Sequence, residues 1–408
     1  MTDASAARES AARASAASGL AGRMLDLVVR DRIRFGRDAV AMLPDLVREA
    51  GGWRAFIVTD AGVVASGVIE VVRGSLAAGD VEVGVYDGVE PNPGTSSVER
   101  GSAALAAFGT HGTIVVPVGG GSSMDTAKAV SLHAVNEGDV LALGYHDQRV
   151  APGKPLVAVP TTAGTGAETN TYGVITDETA GRKAYVGHPS VLPVASVLDP
   201  ELTVGLPPGP TAATGVDAMT HSVESLLSRN PNPFAEAIAL YVIRTVADWL
   251  PVAIDDGRDL EARSQLLVAA HLAGLGQASG TGVGAVHAIG HALGTRGRLP
   301  HGTALATVLP EVLATYIEVR ERELALVAVA LSVASPLDPP AEAARAGIGG
   351  LDAFLRRVGQ RRTLRELGIG PELEAPIVTD ALEDAAIANS PRIPTAGDMA
   401  QILAAVRG

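Results

Sequence analysis

Between Gly282 and Gly302 the chain reads GVGAVHAIGHALGTRGRLPHG, and three of its nine histidines, His287, His291 and His301, fall inside this stretch. His287 and His291 are four residues apart, so on a helix they share one face. Gly294 and Gly297 are expected to break that helix, and Pro300 to place His301 on a turn that brings a third imidazole back towards the first two. Upstream, GVDAMTHSVES sets Asp217 and His221 four apart, again on one helix face. Asp217, His221, His287 and His301 offer three imidazoles and one carboxylate, a set that suits a divalent metal such as Fe2+ or Zn2+, with geometry and supply deciding between them. Such an ion, with one position left open, polarises a carbonyl or lowers the pKa of an alcohol. His291, one turn past His287, is read as a neighbouring proton relay, although a helix-surface histidine would have the same spacing. His111, His133, His146, His188 and His271 are scattered and take no role.

A second set of residues suits a phosphate. Gly119-Gly120-Gly121-Ser122 lies between an apolar run, Ile114–Val118, and a helix expected to begin near Ser123. Glycines let the main chain approach a phosphate closely, and a helix N-terminus offers free N–H groups; Ser122 can cap the helix or bind a phosphate oxygen. The stretch is neither a Walker loop nor GxGxxG, and a simple tight turn would use the same residues. Asp60 closes the buried run AFIVTD, where a carboxylate can accept ribose hydroxyls and repel a 2′-phosphate; capping a helix is the alternative. It precedes the glycines, whereas in the standard dinucleotide fingerprint the acid follows them. A third loop, Pro160-Thr161-Thr162-Ala163-Gly164-Thr165-Gly166, is rich in hydroxyls and also ends an apolar run, at the edge where open α/β sheets bind ligands.

These residues need elements to carry them. At 408 residues the chain suggests two domains. Residues 1–24 are mostly Ala, Ser and Arg without the apolar core of a signal peptide, and are read as a frayed or flexible tail of a cytoplasmic protein. LVV and RIRFG, from Leu25 on, suggest a short hairpin, and Ala39–Ala50 an amphipathic helix. From there to VASVLDP, apolar runs alternate with helical ones, which implies a mainly parallel sheet in an α/β domain over residues 25–205. From Thr211 only helical periodicity follows, giving an all-α metal-binding domain over residues 206–408. The net charge of −13 argues against a nucleic-acid or anionic-membrane partner, and no uninterrupted apolar run approaches the roughly 20 residues of a membrane span. Cysteine is absent, which excludes disulfides and thiolate chemistry.

In this order the stretches FGRDA, IVTD, YDGVEPNP, GGGSSMDTAK, PTTAGTGAE, VITDE, LDPELT, GVDAMTHSVES, HAIGHALG and LPHG closely resemble the iron-containing (group III) alcohol dehydrogenase family, of the lactaldehyde reductase and 1,3-propanediol dehydrogenase type. The resemblance runs from about Phe35 and weakens after residue 315. It implies a dinucleotide domain, a helical metal domain, a cleft between them, and a homodimer or larger assembly. It implies Asp217, His221, His287 and His301 as the metal ligands. NAD(H), in preference to NADP(H), would be lined by Asp60, Asn92, Gly120, Gly121, Ser122, Asp125, Thr161, Thr162, Thr165 and Lys183. The expected reaction moves a hydride between NAD(H) and an aldehyde or primary alcohol, with or without an anionic substituent. Candidate substrate residues are Tyr172, Ala278, Arg296, Arg298 and Ala386, the alanines widening a pocket and the arginines holding an anion unless they face solvent. Maleylacetate reductase-like and glycerol dehydrogenase-like enzymes share the fold, and a non-catalytic scaffold is the alternative outside enzymes; the intact ligand set counts against the first and the last.

Overall fold

The computed structural model describes residues 32–144 and 149–408. The expected tail at residues 1–24, the LVV half of the expected hairpin and His146 lie outside them. The chain opens with β1 (Arg32–Phe35), α1 (Leu43–Glu49), β2 (Arg54–Asp60), α2 (Ala61–Ala65), α3 (Val68–Ala78) and β3 (Glu82–Val89). It continues with α4 (Thr95–Phe108), β4 (Thr113–Gly119), α5 (Gly121–His133), β5 (Val157–Pro160), β6 (Tyr172–Asp177), β7 (Arg182–Gly187) and β8 (Ala195–Leu198).

Six of these strands form one sheet in the order β1-β8-β5-β4-β2-β3, and every neighbouring pair is parallel. Successive residues of β2 face opposite sides: Ala55 and Ile57 join Leu46, Val72 and Leu76 of α1 and α3, while Phe56 and Val58 join Leu105 and Val130 of α4 and α5. Burial on both faces is why these strands read as continuous apolar runs. After β2 the chain moves outward to β3, and after β4 it moves the other way to β5, so the crevice beyond β2 and β4 is a topological switch point. Val58 pairs with Pro117, which ends Asp60 and Gly119 side by side.

RIRF pairs in parallel with β8, at the edge of the sheet among the described residues, and the LVV strand expected beside it lies outside them. One expectation fails here. The segment expected as one helix over Ala39–Ala50 is a 3-10 turn, Ala39–Met42, followed by α1 with Pro44 in its first turn. An element not anticipated is the antiparallel pair β6–β7, which carries Tyr172 and Lys183.

The second half is helical: α6 (Pro208–Leu227), α7 (Pro233–Asp255), α8 (Leu260–Gly276), α9 (Ala285–Gly297), α10 (His301–Ala314), α11 (Glu321–Ala330), α12 (Pro340–Arg357), α13 (Glu374–Glu383) and α14 (Ala396–Ala405). α6 is central. Its Val216 and Val223 share a core with Val242 and Ile243 of α7, Leu266 of α8, Ile289 of α9, and Leu305 and Leu309 of α10. α7 is long and apolar enough to cross a membrane by length and composition, and here packs against α6 and α8. The two halves touch where the loop after β5 crosses α8. A Cβ on Gly166 would lie 2.7 Å from Gly274 Cα, and one on Gly274 would lie 2.6 Å from the Gly166 carbonyl oxygen.

Candidate active site

Asp217, His221 and Glu224 project from α6, His287 and His291 from α9, and His301 from the first residue of α10. α9 continues through Gly294 to Gly297, so Gly294 does not break it. The reversal is made by Arg298, which ends the helix in the left-handed conformation (φ 52°). His301 accordingly sits at a helix start after Pro300, not on the turn itself. α10 reaches α6 because residue 302 is glycine: a Cβ there would fall 1.8 Å from the Ala213 carbonyl oxygen.

The result is a convergence of nitrogen on one oxygen. Asp217 Oδ1 lies 3.6 Å from His221 Nε2, 3.5 Å from His287 Nε2 and 3.5 Å from His301 Nε2. Asp217, His221 and His287 are buried with ligand atoms within 4.8 Å of one another, while His301 is 32% exposed on the open side. Asp217 Oδ1 and His287 Nε2 have no hydrogen-bond partner. Four donors held about 2.1 Å from a shared tetrahedral ion stand about 3.4 Å apart, so the spacing fits ligands awaiting an ion. His287 Nδ1 donates to Glu224 Oε2 at 2.5 Å, and Glu224 Oε1 accepts from the Val286 N–H at 2.8 Å. That bond fixes the ring orientation and leaves Nε2 as the atom facing the centre. His291 Nδ1 similarly donates to Asp384 Oδ2 at 2.7 Å, and its ring stacks on His301 with centroids 5.3 Å apart.

The electrostatics follow the packing. Burial alone would raise the Asp217 carboxyl, yet the facing imidazoles of His221, His301 and His287 hold it well below the usual carboxylate range. Burial takes His221 down to about 4 against the pull of Asp217, and pushes His301 well below the ordinary imidazole value. His287 is also opposed by burial, but Glu224 and Asp217 push it up to about 9.

Three cavities surround this centre. One of about 840 Å³ runs along the sheet edge past Asp60, Gly120, Gly121, Ser122, Thr161 and Thr162. It leads into one of about 140 Å³, lined by Asn92, Asp125, Thr165, Tyr172 and Lys183 and ending on the four expected ligands and His291. All ten expected cofactor residues therefore line one or other of two adjoining cavities. The glycines of the phosphate loop are sterically required: a Cβ on Gly119 (φ +150°) would meet Ser123 Oγ at 2.4 Å, and one on Gly121 would meet Thr165 Cγ2 at 2.7 Å. α5 begins at Gly121 and not near Ser123, and Ser122 does not cap it. Asp60 plays the capping part: Oδ1 accepts from the N–H groups of Gly62 and Val63 at the start of α2, while Oδ2 accepts from Ser123 Oγ at 3.2 Å. Lys183 Nζ donates to Asn92 Oδ1 at 3.0 Å and Thr176 Oγ1 at 3.2 Å; burial takes its pKa down to about 8, against the pull of Asp125.

The other candidate substrate residues stay apart. Ala278 and Arg298 are exposed and line none of these cavities. Arg296 Nε and Nη2 are committed to Asp380 at 2.6 and 2.9 Å, away from the centre. Ala386 is buried, its N–H capped by Asp384. Glu224, Asp384 and Lys128 were not anticipated. Lys128 is 1% exposed, and its Nζ donates to Ala167 O at 2.5 Å, Asn170 Oδ1 at 2.5 Å and Tyr172 O at 2.8 Å, tying the phosphate helix to the loop before β6. His271, given no role, pairs with Glu168 at 3.0 Å in the interior.

A parallel sheet with a phosphate-type loop at its switch point, beside a helical bundle presenting one aspartate and three histidines to a common centre, defines a two-domain oxidoreductase with a metal site. Residues 31–200 match the family described as iron-containing alcohol dehydrogenase, and residues 211–407 match the C-terminal domain of the Fe-containing alcohol dehydrogenase family. The chain belongs to this family and is an enzyme. It is 35% identical to choline dehydrogenase of Bacillus subtilis (strain 168), over 88% of this chain and 89% of that protein. It is 33% identical to NAD-dependent methanol dehydrogenase of Bacillus methanolicus, over 90% and 96%. Among solved structures, a 1,3-propanediol oxidoreductase superposes with a TM-score of 0.90 at 32% identity, covering 94% of this chain and all of that one.

Proposed function

We propose that this enzyme moves a hydride between NAD(H) and an aldehyde or primary alcohol at a divalent metal held by Asp217, His221, His287 and His301. The observation that carries this is the set of three Nε2 atoms 3.5–3.6 Å from a single unpartnered carboxylate oxygen, at the inner end of the cofactor crevice. Reduction would form a C–H bond at the carbonyl carbon as the C=O π bond breaks, with a proton completing the alcohol. NAD(H) supplies the hydride, and an Fe2+ or Zn2+ ion supplies Lewis acidity towards the substrate oxygen.

The chain's own residues supply the rest. Gly120, Gly121 and Ser122 at the start of α5 receive phosphate with main-chain N–H groups, and Asp60 stands where ribose hydroxyls would donate to it. Lys183 and Asn92, bonded to each other, border the inner cavity opposite the histidines. Asp384 orients His291 so that its Nε2 is the ring atom left to pass a proton between the cavity and solvent. A domain division at residues 25–205 and 206–408, a homodimer or larger assembly, and a cytoplasmic location belong to the same reading, on the strength of the family resemblance.

The test is His287→Ala. It should strip the bound metal, read by elemental analysis, and abolish NADH-linked turnover of short aldehydes, a loss of at least about a thousandfold. An active, metal-free variant would sink the assignment.

A further inference from the structure

Two cavities reach Asp217, and cofactor and metal account for the smaller of them. The larger, of about 420 Å³, shares Thr165, Asp217 and His301 with the inner cofactor cavity, so it opens on the same centre from the side of α6 and α10. Its walls are largely small and apolar, with Pro210 and Ala213 of α6 on one side and Pro300 and Gly302 on the other. Such walls suit a short chain of methylenes.

Away from the metal centre and the threonines, two long side chains line it. Gln360 is only 8% exposed; its Oε1 accepts from Thr303 Oγ1 at 2.8 Å, and its amide N–H groups meet no acceptor among the described residues. An amide nitrogen in that state is free to donate to a ligand oxygen. Beside it, Arg362 Nη2 donates to the Glu366 carbonyl at 3.2 Å, and its guanidinium has no carboxylate partner among the described residues. The contrast with its neighbours is instructive: Arg361 is held by Glu311 and Asp352, and Arg296 by Asp380. The carboxylate of Glu366 accepts from the N–H and hydroxyl of Thr363 at 2.8 and 3.1 Å and feels the charge of the exposed Arg362 only at a distance, without an ion pair.

We propose that this cavity seats the far end of the substrate, and that Arg362 with Gln360 recognises a terminal carboxylate there, making aldehydes that carry a carboxylate at the opposite end the preferred substrate class. The inference rests on the hydride-transfer reading above. It moves the anion-recognising role from Arg296 and Arg298, which lie elsewhere, to a pair that lines a cavity opening on the centre.

The test uses the metal-loaded enzyme and NADH with two matched pairs of probes, 4-oxobutanoate against butanal and 5-oxopentanoate against pentanal. Wild type should favour an oxo acid over its uncharged partner by about tenfold or more in kcat/KM, the size of one charge-assisted contact. Arg362→Gln should remove most of that preference through KM, and Gln360→Leu should reduce it in the same direction. Independently of turnover, calorimetric binding of glutarate should weaken about tenfold in Arg362→Gln. A wild type that favours the plain aldehydes overturns the proposal, as does a preference that survives Arg362→Gln or disappears in Arg296→Gln instead. Turnover of plain aldehydes without any anion preference defeats this inference and leaves the hydride-transfer reading standing; absence of turnover with all four probes defeats both.

Discussion

Asp60 satisfies more than one neighbour, which decides what its replacement does. Asp60 divides its oxygens between the start of α2 and Ser123, at the edge of the cavity that would take a ribose. Asp60→Gly should therefore lower stability by only about a few tenths of a kcal/mol through the changed cap, since glycine is itself a tolerated N-cap. It should also shift the NADP(H)/NAD(H) ratio of kcat/KM by about tenfold, since the repelling carboxylate is gone. Thermal melts and kinetics with both cofactors separate the two effects; an unchanged ratio would leave Asp60 as a cap alone. The metal ligands were legible in the sequence because helical geometry turns a spacing of four into one face. Glu224 was legible by the same rule, three residues past His221 and seven past Asp217, and went unread because it is no ligand. Asp384 was not legible: 93 residues separate it from His291, and only the packing of α9 on the segment after α13 joins them.

At the scale of elements, two glycines near the centre behave oppositely. Gly302 allows α10 to touch the α6 main chain; alanine would drive its Cβ to 1.8 Å from the Ala213 carbonyl, so α10 must move off and take His301 away from Asp217. Gly302→Ala should cost about 1–3 kcal/mol or more and lower the metal content of the purified protein. Gly294 lies inside α9, and a Cβ there would meet its nearest neighbour, the Leu299 carbonyl oxygen, at an ordinary 3.6 Å. Gly294→Ala should leave metal content intact and raise stability by up to about 1 kcal/mol, the helix-propensity difference. Melting temperature and elemental analysis on the two variants check the pair. Sequence reading assigned helix breaking to Gly294 because glycine frequently ends helices; tertiary packing on α10, through Gly290 against Leu305, carries α9 past it. The β6–β7 pair escaped notice for a related reason: its strands are half-exposed and bounded by turns, without the continuous apolar runs of the parallel sheet.

For the whole molecule, the ion would join three helices at one point, so metal uptake should raise the melting temperature, with a pH dependence set by His287. With its pKa raised to about 9 by Glu224 and Asp217, His287 of the metal-free protein carries a proton at neutral pH, whereas His221, at about 4, does not. In the metal-free protein the stability from that charge is fully present below about 6.5 and is lost as pH rises through about 9. Binding the ion expels the proton, so apparent metal affinity should climb from pH 6.5 towards 9 with about one proton released per ion at pH 7.5. Calorimetry in buffers of differing ionisation enthalpy measures this, and proton-neutral uptake would contradict it. The alternation of strands and helices showed a parallel sheet in the sequence, but the spatial order did not follow from it. Asp60 stands beside the phosphate loop although it lies far ahead of it in the chain, because β3 leaves to the edge and β4 returns to the other side of β2.

The phosphate loop belongs to the sheet and the histidines to the bundle, and the two meet at Gly166 and Gly274 with no side chain between them. Main chain presses on main chain at that crossing. A side chain can change rotamer and lengthen such a gap, but a peptide backbone cannot, so the crevice between sheet and bundle can widen only by bending at some point away from it.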